Sequence, residues 1–125
     1  MSLEIEAFVA LASNQLAVQV EFYQALLQVE PTTYSGHYAE FHLSGLRLAI
    51  FKPSVEHASV FAAEDSGAMS LCLEVSDLAR VIAHLKNIGH SPTSDIILAS
   101  HGKEIYVYDP DGNRLILHQK ALHMK

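Results

Sequence analysis

The sequence predicts an α+β fold made of two consecutive βαβββ modules, and three observations carry that reading. Residues 8–27 open as a strand and continue as a helix, and the same pattern returns at residues 70–89. Each helix is followed by a proline, Pro31 or Pro92, and then by further strand-like runs. Near the end, Glu104–Tyr108 enters the turn Asp109-Pro110-Asp111-Gly112-Asn113 and Arg114–His118 leaves it, which is a β-hairpin in sequence form. Proline presets φ in that turn, glycine accepts positive φ, and the Asp and Asn side chains bond their own backbone.

In the first module Phe8 begins the strand, Asn14 is the expected N-cap, and Leu16, Val20, Tyr23 and Leu27 recur at helical spacing. Tyr38–Leu43 and Leu46–Phe51 flank Ser44-Gly45 as a second hairpin. In the second module a strand from Ser70 meets a Ser76 or Asp77 cap, and the helix that follows closes at Gly89. Matching Gly45 with Gly112 brings Arg47 opposite Arg114 and Ala49 opposite Ile116. The intervening Lys52–Gly67 stretch, with Pro53, Ser54, Ser59 and Ser66, reads as a linker. The expectation is one domain over 1–125, with module 1 at about 3–52, a linker at about 53–67, module 2 at about 68–119 and a tail at 120–125. Because strand, helix, proline and hairpin recur in register, internal duplication is the economical account.

Composition excludes several classes. The 125 residues are 50% hydrophobic and 18% charged, as in an ordinary globular domain able to bury a core. No apolar run approaches the roughly 18 residues of a membrane span, and Glu4 and Glu6 stand where a signal peptide would be basic. Neither a membrane nor a nucleic acid is an expected partner, since a net charge of -6 leaves no basic stripe for phosphates. The single Cys72 forms no internal disulfide, and a reducing cytoplasm is the expected compartment. It falls in a strand expected to be buried, where a free thiol behaves as a small hydrophobe. No nucleophile elbow, P-loop or dinucleotide fingerprint is present.

The duplicated βαβββ pattern and the Asp-Pro-Asp-Gly-Asn hairpin resemble the glyoxalase/bleomycin-resistance/dioxygenase superfamily, also called the vicinal oxygen chelate fold. Glu21-Phe22-Tyr23 is similar to its recurrent helix motif, and Val75-Ser76-Asp77-Leu78 to its second strand-to-helix junction. The resemblance covers nearly the whole chain and implies that each half curls into a cupped, mostly antiparallel sheet covered outside by helices. Metal-using members carry His, Gln or Glu on the cupped face of the first and fourth strands of each half, where a divalent ion serves as a Lewis acid. Carried over by resemblance, those positions are Phe8, Ala49 (with Phe51 one pleat away), Ser70 and Ile116. Phenyl, methyl and sec-butyl groups supply no lone pairs, so no normal metal ligand is expected there except, weakly, Ser70.

The family's cupped face thus becomes an apolar cavity with polar anchors, formed by Phe8, Arg47, Phe51, Tyr106, Tyr108, Arg114 and His118. The plainer reading of the same residues has the tyrosines packing on neighbouring strands and the arginines paired with Glu40, Glu74 or Glu104. The resemblance implies a small-molecule binder without cofactor or catalytic residues, similar to the bleomycin-resistance branch. The alternative is a metal-dependent lyase, isomerase or dioxygenase with displaced ligands such as His118 and Glu74, and a regulatory partner-binding domain is a third reading. His37, His57, His84, His90, His101 and His123 are expected to be solvated. A homodimer is implied by the resemblance alone.

Overall fold

The computed structural model describes residues 3–62 and 67–121. The chain divides into two units, 1–62 and 63–125, each with the order strand, helix and three strands. In the first unit β1 (Val9–Ala12) leads through α1 (Leu16–Leu27) to β2 (Thr33–Tyr34), β3 (Tyr38–Leu43) and β4 (Leu46–Phe51). In the second, β5 (Leu71–Glu74) leads through α2 (Leu78–Asn87) to β6 (Ile97–Ala99), β7 (Gly102–Tyr108) and β8 (Arg114–Lys120). The sheets have the orders β1-β4-β3-β2 and β5-β8-β7-β6. The first strand of each unit pairs parallel with its last, and the remaining pairs are antiparallel. This is the α+β architecture the sequence predicts, and both hairpins form around the expected turns.

Local chemistry explains each junction. Ser13 Oγ accepts from the Gln15 N–H at 3.1 Å, so the helix begins one residue later than expected, with Gln15 rather than Asn14 as N-cap. Helix α1 stops where Gln28 turns left-handed at φ 57°. Helix α2 has the expected Asp77 cap, whose carboxylate accepts from the Arg80 N–H at 3.1 Å. Its other end closes as a Schellman motif: Gly89 at φ 85° donates to Lys86 O, and His90 N–H reaches Leu85 O. In the β7–β8 turn, Asp109 is buried and its carboxylate accepts from the N–H groups of Asp111 and Asn113 and from Asn113 Nδ2. That turn sets the hairpin register, pairing Tyr108 with Arg114 and Glu104 with His118.

One face of each sheet is closed by the helix of its own unit. In the first, Ala39, Phe41, Leu48 and Ile50 are fully buried, as is Tyr23 of α1, which meets Phe22 edge-on. In the second, Ile105, Val107, Leu115 and Leu117 join Leu78 and Leu85 of α2 in the core. Each buried Leu, Ile, Val or Phe among them contributes about 1.5–3 kcal/mol relative to exposure. Sheet alternation therefore sends the intervening residues to the opposite, open face.

The stretch read as linker contains a 3-10 helix, Val55–Phe61, whose Phe61 meets Phe51 edge-on at 5.1 Å. One expectation is corrected. Cys72 is exposed rather than buried, since its pairing with Ile116 places it on the open face while Leu71 and Leu73 take the other. An unbroken Leu-Cys-Leu run conceals that alternation. Residues 63–66 of the linker, and most of the tail, lie outside the described residues.

Candidate functional site

The open face of the first unit is ordered in three cross-strand rows. Ala12, Phe51 and Tyr38 form one row, Ala10, Ala49 and Glu40 the next, and Arg47 with His42 a third that Phe8 extends from beside β1. Phe8 is 47% exposed, and the Arg47 guanidinium lies 4.1 Å above its ring. Arg47 Nε is shielded from solvent and makes no hydrogen bond, with Glu40 Oε1 at 3.8 Å. Glu40 is the polar hub of this face: Tyr38 donates its hydroxyl to Oε1 at 2.6 Å, and His42 Nε2 meets Oε2 at 2.6 Å. The Tyr38 hydrogen bond, then that of His42, holds the Glu40 carboxyl below its ordinary pKa, and the same hydrogen bond to Glu40 pushes the Tyr38 phenol up.

The second unit repeats the three rows with different chemistry. Ser70, Arg114 and Tyr108 form one, Cys72, Ile116 and Tyr106 the next, and Glu74, His118 and Glu104 the third. Arg114 is tied to its own unit, donating from Nε to Ser70 Oγ at 2.7 Å and from Nη2 to Gly67 O at 2.9 Å. The third row is a hydrogen-bonded chain. Glu74 Oε1 faces His118 Nδ1 at 2.8 Å, and Glu74 Oε2 accepts from the Lys120 N–H at 3.0 Å. On the other side of the ring, His118 Nε2 lies 2.8 Å from His101 Nδ1, and His101 Nε2 lies 3.9 Å from Glu104 Oε1.

Every residue expected to line the binding face is thus on or beside the open face of its own sheet: Phe8, Arg47 and Phe51 in the first unit, and Tyr106, Tyr108, Arg114 and His118 in the second. Phe8 and Arg47 touch directly, as do Phe51 and Phe61. Arg47 has the expected acidic partner, Glu40, whereas Arg114 takes Ser70 and backbone carbonyls instead of Glu74 or Glu104. Among the histidines expected to be solvated, His101 is half-exposed but bonded to His118, and His57 Nδ1 meets Ser54 Oγ at 2.9 Å. His123 lies outside the described residues.

The sequence reading missed His101 and Glu104 as companions of His118. Glu104 was accessible by counting outward from the Tyr108–Arg114 pair along the hairpin. His101 gave no such signal, because it stands in the β6–β7 turn. At the four positions implied by the resemblance, Phe8 lies against Arg47, Ser70 is engaged by Arg114, and Ala49 and Ile116 carry only hydrocarbon. A divalent metal does not fit that donor set.

The family model described as Glyoxalase/Bleomycin resistance protein/Dioxygenase superfamily matches residues 7–117. No curated protein matches the sequence. A solved glyoxalase/bleomycin resistance protein from Catenulispora acidiphila DSM 44928 is 24% identical with a TM-score of 0.71, covering 94% of this chain and 100% of that one. Protein ATC0852 from Agrobacterium tumefaciens is 25% identical with a TM-score of 0.74, over 91% and 95% of the two chains. The fosfomycin resistance protein FosX from Listeria monocytogenes, solved in complex with Mn(II) and sulfate ion, is 17% identical with a TM-score of 0.75, over 97% and 94%.

Proposed function

The chain belongs to the Glyoxalase/Bleomycin resistance protein/Dioxygenase superfamily, and from that premise we propose that it binds a small anionic or aromatic molecule through its open-face side chains, without a metal at the superfamily's usual ligand positions. The observation that carries this reading is the Phe8–Arg47 pair. Arg47 is held by stacking on Phe8, with Glu40 3.8 Å from its shielded Nε, and the planar guanidinium is the shape that recognises a carboxylate or phosphate. The half-exposed Phe8 ring beside it offers a flat apolar contact. The second unit, taken by itself, presents Tyr106, Tyr108 and His118 on its own open face, aromatic surface with a polar anchor of the kind found in small-molecule sites.

A thermal-shift screen of carboxylates, phosphates, phosphonates and aromatic antibiotics, in chelator-treated buffer, tests the reading. A true ligand at about 100 times its Kd stabilises by about 2.7 kcal/mol, a readily measured rise in melting temperature. Arg47→Ala and Phe8→Ala are expected to abolish that rise. If no compound in the panel raises the melting temperature, the binding reading fails.

A further inference from the structure

We propose that His101, Glu104 and His118 form a binding site for a first-row divalent cation such as zinc, with Glu74 as the residue that positions His118. The site lies within the second unit and shares only His118 with the small-molecule reading above, which the Phe8–Arg47 pair carries. One ligand atom from each of the three residues lies within 4.8 Å of the other two. In a tetrahedral zinc site with bonds of about 2.0–2.1 Å, neighbouring donors stand about 3.3 Å apart. His101 meets His118 Nε2 through Nδ1 at 2.8 Å and Glu104 Oε1 through its other nitrogen, Nε2, at 3.9 Å, so one His101 nitrogen serves both neighbours at that spacing only once its ring turns. Side-chain rotation alone closes the difference, because the His101 side chain is 51% exposed at a turn.

The hydrogen bonds prepare the lone pair of His118. An ionised carboxylate only accepts, so the proton of the His118 ring sits on Nδ1, facing Glu74, and the Nε2 lone pair points toward His101. A carboxylate that holds the far nitrogen of a histidine is the usual support of a metal-bound imidazole, fixing its tautomer and raising its basicity. Glu74 is itself fixed by the Lys120 N–H, which makes it a support rather than a ligand. Cross-strand pairing holds Glu104 opposite His118 on rigid β7 and β8, whose side chains are only 15% and 18% exposed. Two imidazoles with one carboxylate select a borderline ion such as zinc, cobalt or nickel over magnesium or calcium, which prefer all-oxygen sites. Three protein ligands also leave a fourth position open to water or another oxygen donor.

The test is a titration of chelator-stripped protein with Co(II) alone, followed by its visible absorption, and then displacement by Zn(II) alone. The expected result is one equivalent bound, with His101→Ala and His118→Ala each weakening binding about 100-fold or more. Glu104→Gln is expected to weaken it at least about 10-fold, and Glu74→Gln by about 10–100-fold while keeping a stoichiometry of one. His84→Ala, in α2, leaves binding unchanged. If His118→Ala fails to fold, His101→Ala decides the matter, because its side chain is largely in solvent. Binding well below one equivalent, or His101→Ala binding with wild-type affinity, overturns the proposal.

Discussion

The two units share one scaffold and an arginine at the same place in one row, Arg47 or Arg114, yet the other two rows of their open faces carry opposite chemistry. Where the first unit sets Ala12, Phe51 and Tyr38 across its sheet, the second sets Glu74, His118 and Glu104 at the equivalent pairings. One row inward the contrast reverses, with Glu40 beside two alanines in the first unit and Tyr106 beside Cys72 and Ile116 in the second. The polar cluster of the first unit therefore centres on Glu40, and that of the second on His118, a full pleat away. The helix-facing residues diverge far less: Leu48 and Ile50 correspond to Leu115 and Leu117, all fully buried. Packing under a helix holds one side of each sheet to aliphatic shapes, while the open side is free to differ.

The largest expected effect breaks the symmetry through glycine. Gly102 has φ 144°, and a Cβ there would stand 2.1 Å from Gln119 O, whereas the equivalent Gly36 has nothing within 4 Å. Gly102→Ala is expected to cost about 2 kcal/mol or more, because β7 must shift against β8. Gly36→Ala stays within about 0.5 kcal/mol or is slightly stabilising. Urea denaturation of both variants checks this, and equal midpoints would sink it.

A middle-sized effect sharpens the comparison at the helix starts. Asp77 caps α2 through its side chain, while Gln15, at the matching place, makes no side-chain cap hydrogen bond to α1. Asp77→Ala is expected to lose about 1 kcal/mol, and Gln15→Asp to recover part of that for α1. Thermal melts read both, and a Gln15→Asp variant no more stable than wild type would show that Ser13 already satisfies the entry to α1.

The smallest effect concerns pH and is specific to the first unit. The Glu40 carboxyl is held below its ordinary 4.5, first by the Tyr38 hydroxyl and then by His42. A depressed folded-state pKa stabilises the protein above the ordinary carboxylate range, and that contribution is lost as pH falls through the lowered value. Tyr38→Phe removes the leading cause, so the Glu40 midpoint should rise toward 4.5 in an NMR titration. An unmoved midpoint would mean that His42 and Arg47 suffice.

Much of the fold was legible because its signals are local. The Asp109–Asn113 turn, the Asp77 cap and the Gly89 stop each act within a few residues, and the repeat of strand, helix and hairpin did the rest. The cap stands one position later than the sequence suggested, where Ser13 Oγ takes the Gln15 N–H. The candidate site was legible only in part. His118 and Glu74 share a face by simple alternation, but their approach depends on the parallel pairing of β5 with β8, which no local signal encodes. His101 needed more still, since it reaches His118 from beyond the tight approach of Gly102 to β8. Cys72 looked buried because a run of apolar residues hides which side of a strand each one takes.

The strand order has a consequence for how each sheet meets other chains. The six- and seven-residue strands β3, β4, β7 and β8 all lie inside their sheets, while β1, β2, β5 and β6, at the margins, are only two to four residues long. A margin that short offers few unpaired N–H and C=O groups to a foreign strand, even where Leu98 of β6 is 80% exposed. The long hydrophobic strands, which would template aggregation, are thereby kept out of reach.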